Sequence, residues 1–172
     1  MPTTPPPTYR QRLRLEGTVL AASGALASLL LVALAGEATE RAASTALQIA
    51  FVAAVLAVAG PFYARRWLAA AQPVVPGAQV TGQPTALWKP PLVVAVLTAL
   101  FVVPGELGFG AVGWDAGLRI ALGCMVVGLA QALLVERVVA SDEARNGRSY
   151  VRLPGSRATS GTNLGFFRRK HA

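Results

Sequence analysis

The chain has 172 residues, 53% of them apolar and only 14% charged, with a formal net charge of +8 and a mean hydropathy of +0.50. Those values lie outside the range of ordinary soluble domains. A single Cys and a single His, the penultimate His171, exclude an internal disulfide, a redox thiol pair and a histidine-built haem or metal site within the apolar runs.

The head, Met1 to Thr8, holds four Pro and three Thr, a composition that resists helix and strand and predicts extended, solvated chain. Arg10, Arg12 and Arg14 complete a Pro-rich and basic segment over residues 1–16. The first apolar run, 17–35, predicts a membrane helix, since a span needs roughly 20 apolar residues. Its end, Ala33-Leu34-Ala35, also looks like the cleavage site of a secretory signal. A run of 19 residues exceeds the roughly 7 to 15 of a signal's apolar core, so it is read as a span. Ala21, Gly24, Ala25 and Ser28 recur three and four apart, a spacing that lets helix backbones approach closely.

The second helix is expected over 43–67, with Gln48 near its outer end and Gly60-Pro61 near its inner end. Arg65, Arg66 and Trp67 suit the headgroup zone, where an indole finds both apolar and polar surroundings and Arg side chains reach phosphates. In the loop from Leu68 to Trp88, Val75-Pro76-Gly77-Ala78 has Pro and Gly where a type II turn wants them, which makes a small hairpin one option for an otherwise irregular stretch.

The third helix, 90–105, is short or bent because Pro104-Gly105-Glu106 interrupts it. The Gly-rich continuation from Leu107 to Trp114 suggests a re-entrant or interfacial segment. Glu106 and Arg119 are the only charges that fall inside the outer boundary, and charges at depth pair or line a polar path. Asp115, four residues before Arg119, competes with Glu106 as its partner. The fourth helix, 116–139, carries Cys124, Gly128 and Ala132 four apart, which makes it a plausible neighbour of the first. Gln131 is available for a bond between helices.

The tail, 140–172, is rich in Ser, Thr, Gly and Arg and ends Phe166-Phe167-Arg168-Arg169-Lys170. It is expected to be disordered, with Arg168, Arg169 and Lys170 on anionic headgroups; its acidic pair Asp142-Glu143 reads as a helix-end partner for Arg145. Nucleic acid is an unlikely partner, because the basic balance follows from membrane topology and no nucleic-acid motif accompanies it. Of the 16 Lys and Arg, only Arg41 and Arg119 fall on the outer side, so both termini should be cytoplasmic.

The expected fold is an all-α, antiparallel four-helix transmembrane bundle in the cell membrane, with head and tail lacking a packed core. No phosphate loop, nucleophile elbow or paired-acid motif occurs, so neither an enzyme nor a cofactor is expected. Two functions fit. One is an accessory, assembly or scaffold subunit that packs through its small-residue faces against a membrane partner or a copy of itself. The other is a small oligomeric transporter or channel using Glu106 and Arg119, with Gln48 nearby.

Overall fold

A computed structural model describes residues 8–35, 42–74, 87–104, 112–152 and 164–168. Helix α1 spans Tyr9–Ala35 and starts eight residues before its apolar run. A reciprocal cap sets that start: the Thr8 N–H donates to Gln11 Oε1 (3.0 Å) and the Gln11 N–H to Thr8 Oγ1 (3.4 Å). Arg, Gln, Leu and Glu between the cap and Gly17 are good helix formers, so the basic head is helical from Tyr9 onward.

Helix α2 covers Ala42–Ala69 and passes through Pro61. Helix α3, Lys89–Pro104, opens on Pro90 and Pro91, whose missing N–H groups cost nothing in a first turn. Helix α4, Val112–Ala130, starts earlier than expected and makes Trp114 helical; Glu106 and Leu107 to Gly110 lie outside the described residues. It continues through a π-helical turn, Gln131–Val135, into helix α5, Glu136–Asn146, where Gly147 ends it in the left-handed conformation at φ 57°. The fourth span is therefore longer at both ends than its apolar run.

Three stretches, Tyr9–Leu34, Leu47–Ala69 and Gly113–Asn146, are long and apolar enough to cross a membrane, whereas the apolar part of α3, Lys89–Leu100, is shorter. Helices α1, α2 and α3 all pack on α4, and α3 also meets α1. The α1–α4 seam is the tightest. A Cβ added at Gly128 would fall 2.5 Å from the Ala21 nitrogen and 2.6 Å from the Gly17 oxygen; one added at Gly24 would fall 2.5 Å from the Ala121 oxygen. Pairing Gly17 with Gly128 and Gly24 with Ala121 sets the two helices antiparallel.

The fold is not purely helical. Strand β1, Gln72–Pro73, β2, Arg148–Arg152, and β3, Leu164–Arg168, form a sheet in the order β1-β3-β2. Strands β2 and β3 are antiparallel with Tyr150 opposite Phe166, and β1 lies parallel to β3 with Pro73 opposite Phe166. The loop segment thus pairs with the tail; its possible Val75–Ala78 turn lies outside the described residues.

Head and tail also share a core, contrary to expectation. Leu13, Leu68, Val139, Tyr150 and Leu164 are buried together, with Tyr9, Val135 and Phe166 packed around them. The Tyr150 and Phe166 rings meet edge to face at 6.3 Å, and the Arg148 guanidinium lies 4.4 Å from the Phe166 ring centre. This core ties the ends of α1, α2 and α5 to the sheet, and we call that end of the molecule the sheet end.

Candidate functional site: a charge cluster at the sheet end

Arg10 and Arg14 lie four apart on α1, while Glu136 and Glu143 lie seven apart on α5, so each pair occupies one face of its helix. The faces meet. Glu136 Oε1 accepts from Arg10 Nε at 2.7 Å and lies 2.6 Å from Arg10 Nη2 and 3.0 Å from Arg14 Nη2. Glu136 is only 4% exposed. Burying a carboxylate costs several kcal/mol unless cations and donors replace its water, and two guanidiniums on one oxygen supply that replacement.

Glu143, also buried, accepts the Tyr150 N–H at 2.9 Å and lies 3.9 Å from Arg10 Nη1, beyond hydrogen-bond range. It therefore links the cluster to strand β2 and is not the helix-end partner of Arg145 that its place in the sequence suggested. Asp142 accepts from the Tyr150 hydroxyl at 2.5 Å and from Asn146 Nδ2 at 3.0 Å. A solvent-open cleft of about 280 Å³ runs beside the ion pairs, lined by Thr8, Arg10, Gln11, Arg14, Glu136, Glu143 and Ser149.

Burial, together with the bond to Asp142, pushes Tyr150 up to about 12 from its ordinary value near 10. The folded state thus keeps a proton that the unfolded chain gives up first. The associated stability is complete below pH ~10 and is lost as pH rises towards ~12. Phenolate absorbance should show an ionisation near pH 12 that Tyr150→Phe removes. A Tyr150 transition near pH 10 would contradict the burial of its hydroxyl.

The far end of the molecule carries a second pair, where Arg119 Nη2 lies 2.6 Å from Asp115 Oδ2 within α4. Arg119 thus takes Asp115, while Glu106 lies outside the described residues. Gln48 is exposed on α2, and Gln131 is half-buried where the π turn begins. Among the small residues, Ala21, Gly24, Ser28, Gly128 and Ala132 are buried, and Ala25 and Cys124 are half-buried. Gly17 and Ala121, absent from the sequence-derived set, belong to the seam. At the sheet end Arg65, Arg66 and Trp67 are exposed; Arg168 closes β3, and Arg169 and Lys170 lie outside the described residues.

Sequence reasoning missed Glu136 and Glu143 because it treated the arginines of the head only as topological signals. The two intervals, four in the head and seven beyond the fourth apolar run, were the available cue. Apolar helices joined by a buried ion-pair network define a multi-pass membrane protein with an internal charge cluster. No protein-family model, curated protein or solved structure matches the chain.

Proposed function

We propose that the chain is the protomer of a small oligomeric transporter, held closed at its sheet end by Arg10, Arg14, Glu136 and Glu143, with the Asp115–Arg119 pair at its other end. The observation that carries this reading is Glu136, a buried carboxylate gripped by two arginines beside an open polar cleft. Glu136 stands at the sheet-end mouth of the helix bundle, where paired charges beside an open cleft are suited to closing a polar path. The accessory reading needs small-residue faces free for a partner. Here Gly17, Ala21 and Gly24 face Ala121 and Gly128 of the same chain, which removes the interface it relied on. Helix α2 leaves Leu47, Phe51, Val58 and Phe62 exposed, an apolar face for lipid or a second copy of the chain to cover.

The test is reconstitution into vesicles, with proton flux read by an internal pH dye and conductance measured across planar bilayers in potassium chloride. Flux above that of protein-free membranes, changed about tenfold by Glu136→Gln and unchanged by Gly123→Ala, is the expected outcome. Wild-type flux equal to the protein-free background would sink the transport reading and favour a search for a stoichiometric partner.

The same proposal sets the sheet end and both termini in the cytoplasm, because Lys and Arg concentrate there. In a Cys124→Ser background, an impermeant maleimide applied to intact cells should label Gln48→Cys and spare Ala144→Cys. The opposite pattern would invert the topology.

A further inference from the structure

We propose that the cleft beside Arg10 and Arg14 is a phosphate site, taking the headgroup phosphate of an anionic lipid or a free phosphate from solution. Cations and acids are unequally placed in its wall. The side chains of Glu136 and Glu143 are 5% and 6% exposed, whereas those of Arg10 and Arg14 are 36% and 61% exposed. A ligand entering the cleft therefore meets guanidinium edges, with both carboxylates behind them. The lining holds two cations and two acids, so recognition rests on the placement of donors and the burial of the acids, not on net charge.

Those edges have donors to spare. Glu136 takes its contacts on one oxygen, from Arg10 Nε and Nη2 and from Arg14 Nη2, while Arg10 Nη1 stands 3.9 Å from Glu143, too far to donate to it. A guanidinium presents its N–H groups in a rigid fork that matches two oxygens of one phosphate. Arg14 approaches Glu136 through one nitrogen and is largely solvated, so its remaining N–H groups supply that fork, with Arg10 Nη1 available in the same cleft. Thr8 and Ser149 bring hydroxyls to the wall. Thr8 also stands at the N-terminus of α1, whose first-turn N–H groups favour a negative group at the mouth.

The height of the cleft in the bundle brings lipid phosphates within reach. Leu13, Leu68 and Val139 are buried together, so Arg14, Trp67 and Glu136, adjoining them or one turn away, lie at one level. Trp67 is exposed and its ring lies 6.5 Å from that of Tyr63. Trp88 is exposed as well, with Lys89 Nζ 6.0 Å from its ring centre at the start of α3. Exposed indoles at helix ends mark the headgroup zone of a bilayer. The exposed side of Arg14 therefore stands at the depth of lipid phosphates, while the cleft itself opens to solvent.

The test uses the full chain in a mild detergent free of phosphate. Native mass spectrometry reads retention of phosphatidylglycerol against phosphatidylcholine, and titration calorimetry reads inorganic phosphate against chloride at constant ionic strength. At least one of the two phosphate sources should bind at a single site per chain. Arg14→Gln should weaken that binding by about tenfold, the size of one charge-assisted hydrogen bond. Arg14→Lys, which keeps the ion pair and loses the fork, should weaken it by a few-fold. Arg65→Gln, which removes an exposed cation of α2 at the same end, should leave it unchanged.

Retained phosphatidylglycerol without a phosphate titration names the lipid as the source, and a phosphate titration without retained lipid names the solute; either result sustains the site. Neither signal, or a loss with Arg65→Gln equal to that with Arg14→Gln, overturns it. As a transported solute the phosphate rests on the transport reading; as a ligand of the cleft it does not. Binding in a protein that carries no flux sustains the site and sinks transport, and flux altered by Glu136→Gln with neither binding signal does the reverse.

Discussion

Gly128→Leu is expected to separate α1 from α4 and leave a protein that aggregates or loses its cooperative thermal transition in mild detergent. No side chain fits there, because the atoms facing Gly128 are the Ala21 nitrogen and the Gly17 oxygen at 2.5 and 2.6 Å from an ideal Cβ. Backbone cannot rotate aside as a side chain can, so the helices must part. Even Gly128→Ala and Gly24→Ala should lose about 1–3 kcal/mol, the usual range for overpacking a filled interior. Gly123 supplies the internal control, since a Cβ there meets nothing within 4 Å. Gly123→Ala should add about 0.5–1 kcal/mol of stability through helix propensity alone and so raise the transition midpoint. Equal effects of Gly123→Ala and Gly128→Ala would mean that α1 and α4 do not touch through these backbones.

The seam also shows what the sequence reveals and what it hides. Runs of apolar residues disclosed the helices because a membrane imposes one length and one chemistry on whatever crosses it. Ala21, Gly24, Gly128 and Ala132 were visible for a similar reason, as small residues at helical spacing. Gly17 escaped because it sits at the edge of an apolar run, where a glycine reads as a boundary.

Past that edge, the bilayer no longer dictates the pattern. The segment from Tyr9 to Glu16 reads as part of a basic head, yet Thr8 and Gln11 cap it as helix and Leu13 anchors it in the sheet-end core. Strands β2 and β3 are five residues each, too short to stand out in a tail rich in Ser, Gly and Arg. What makes them strands is contact with residues about 80 to 150 positions away, such as Pro73 and Leu13. The π turn left no mark in Gln131–Val135 itself.

Glu136→Ala should have the largest effect of any single charge removal. The loss should fall near 1–3 kcal/mol, below the 3–5 kcal/mol of a fully buried pair, because the orphaned cations can reach water. Arg10 is 36% exposed and Arg14 61% exposed in their side chains, so neither is trapped when the carboxylate goes. Their unequal exposure predicts unequal coupling. A double-mutant cycle between Glu136 and Arg10, which approaches through both Nε and Nη2, should return about 1–2 kcal/mol. The cycle with Arg14, at 3.0 Å and more solvated, should return about half as much.

Asp115 and Arg119 make an equally short contact at 2.6 Å, yet they are neighbours on a single helix and hold no two elements together, so their cycle should stay within a few tenths of a kcal/mol. Distance alone would rank the Asp115 pair beside the Arg10 pair, whereas burial of the shared carboxylate and the joining of α1 to α5 rank it last. Thermal or denaturant unfolding of the single and double variants in nanodiscs separates the two rankings. Coupling at Arg14 equal to that at Arg10, or coupling near zero at both, would mean that Glu136 is not the carboxylate that fastens α1 to α5.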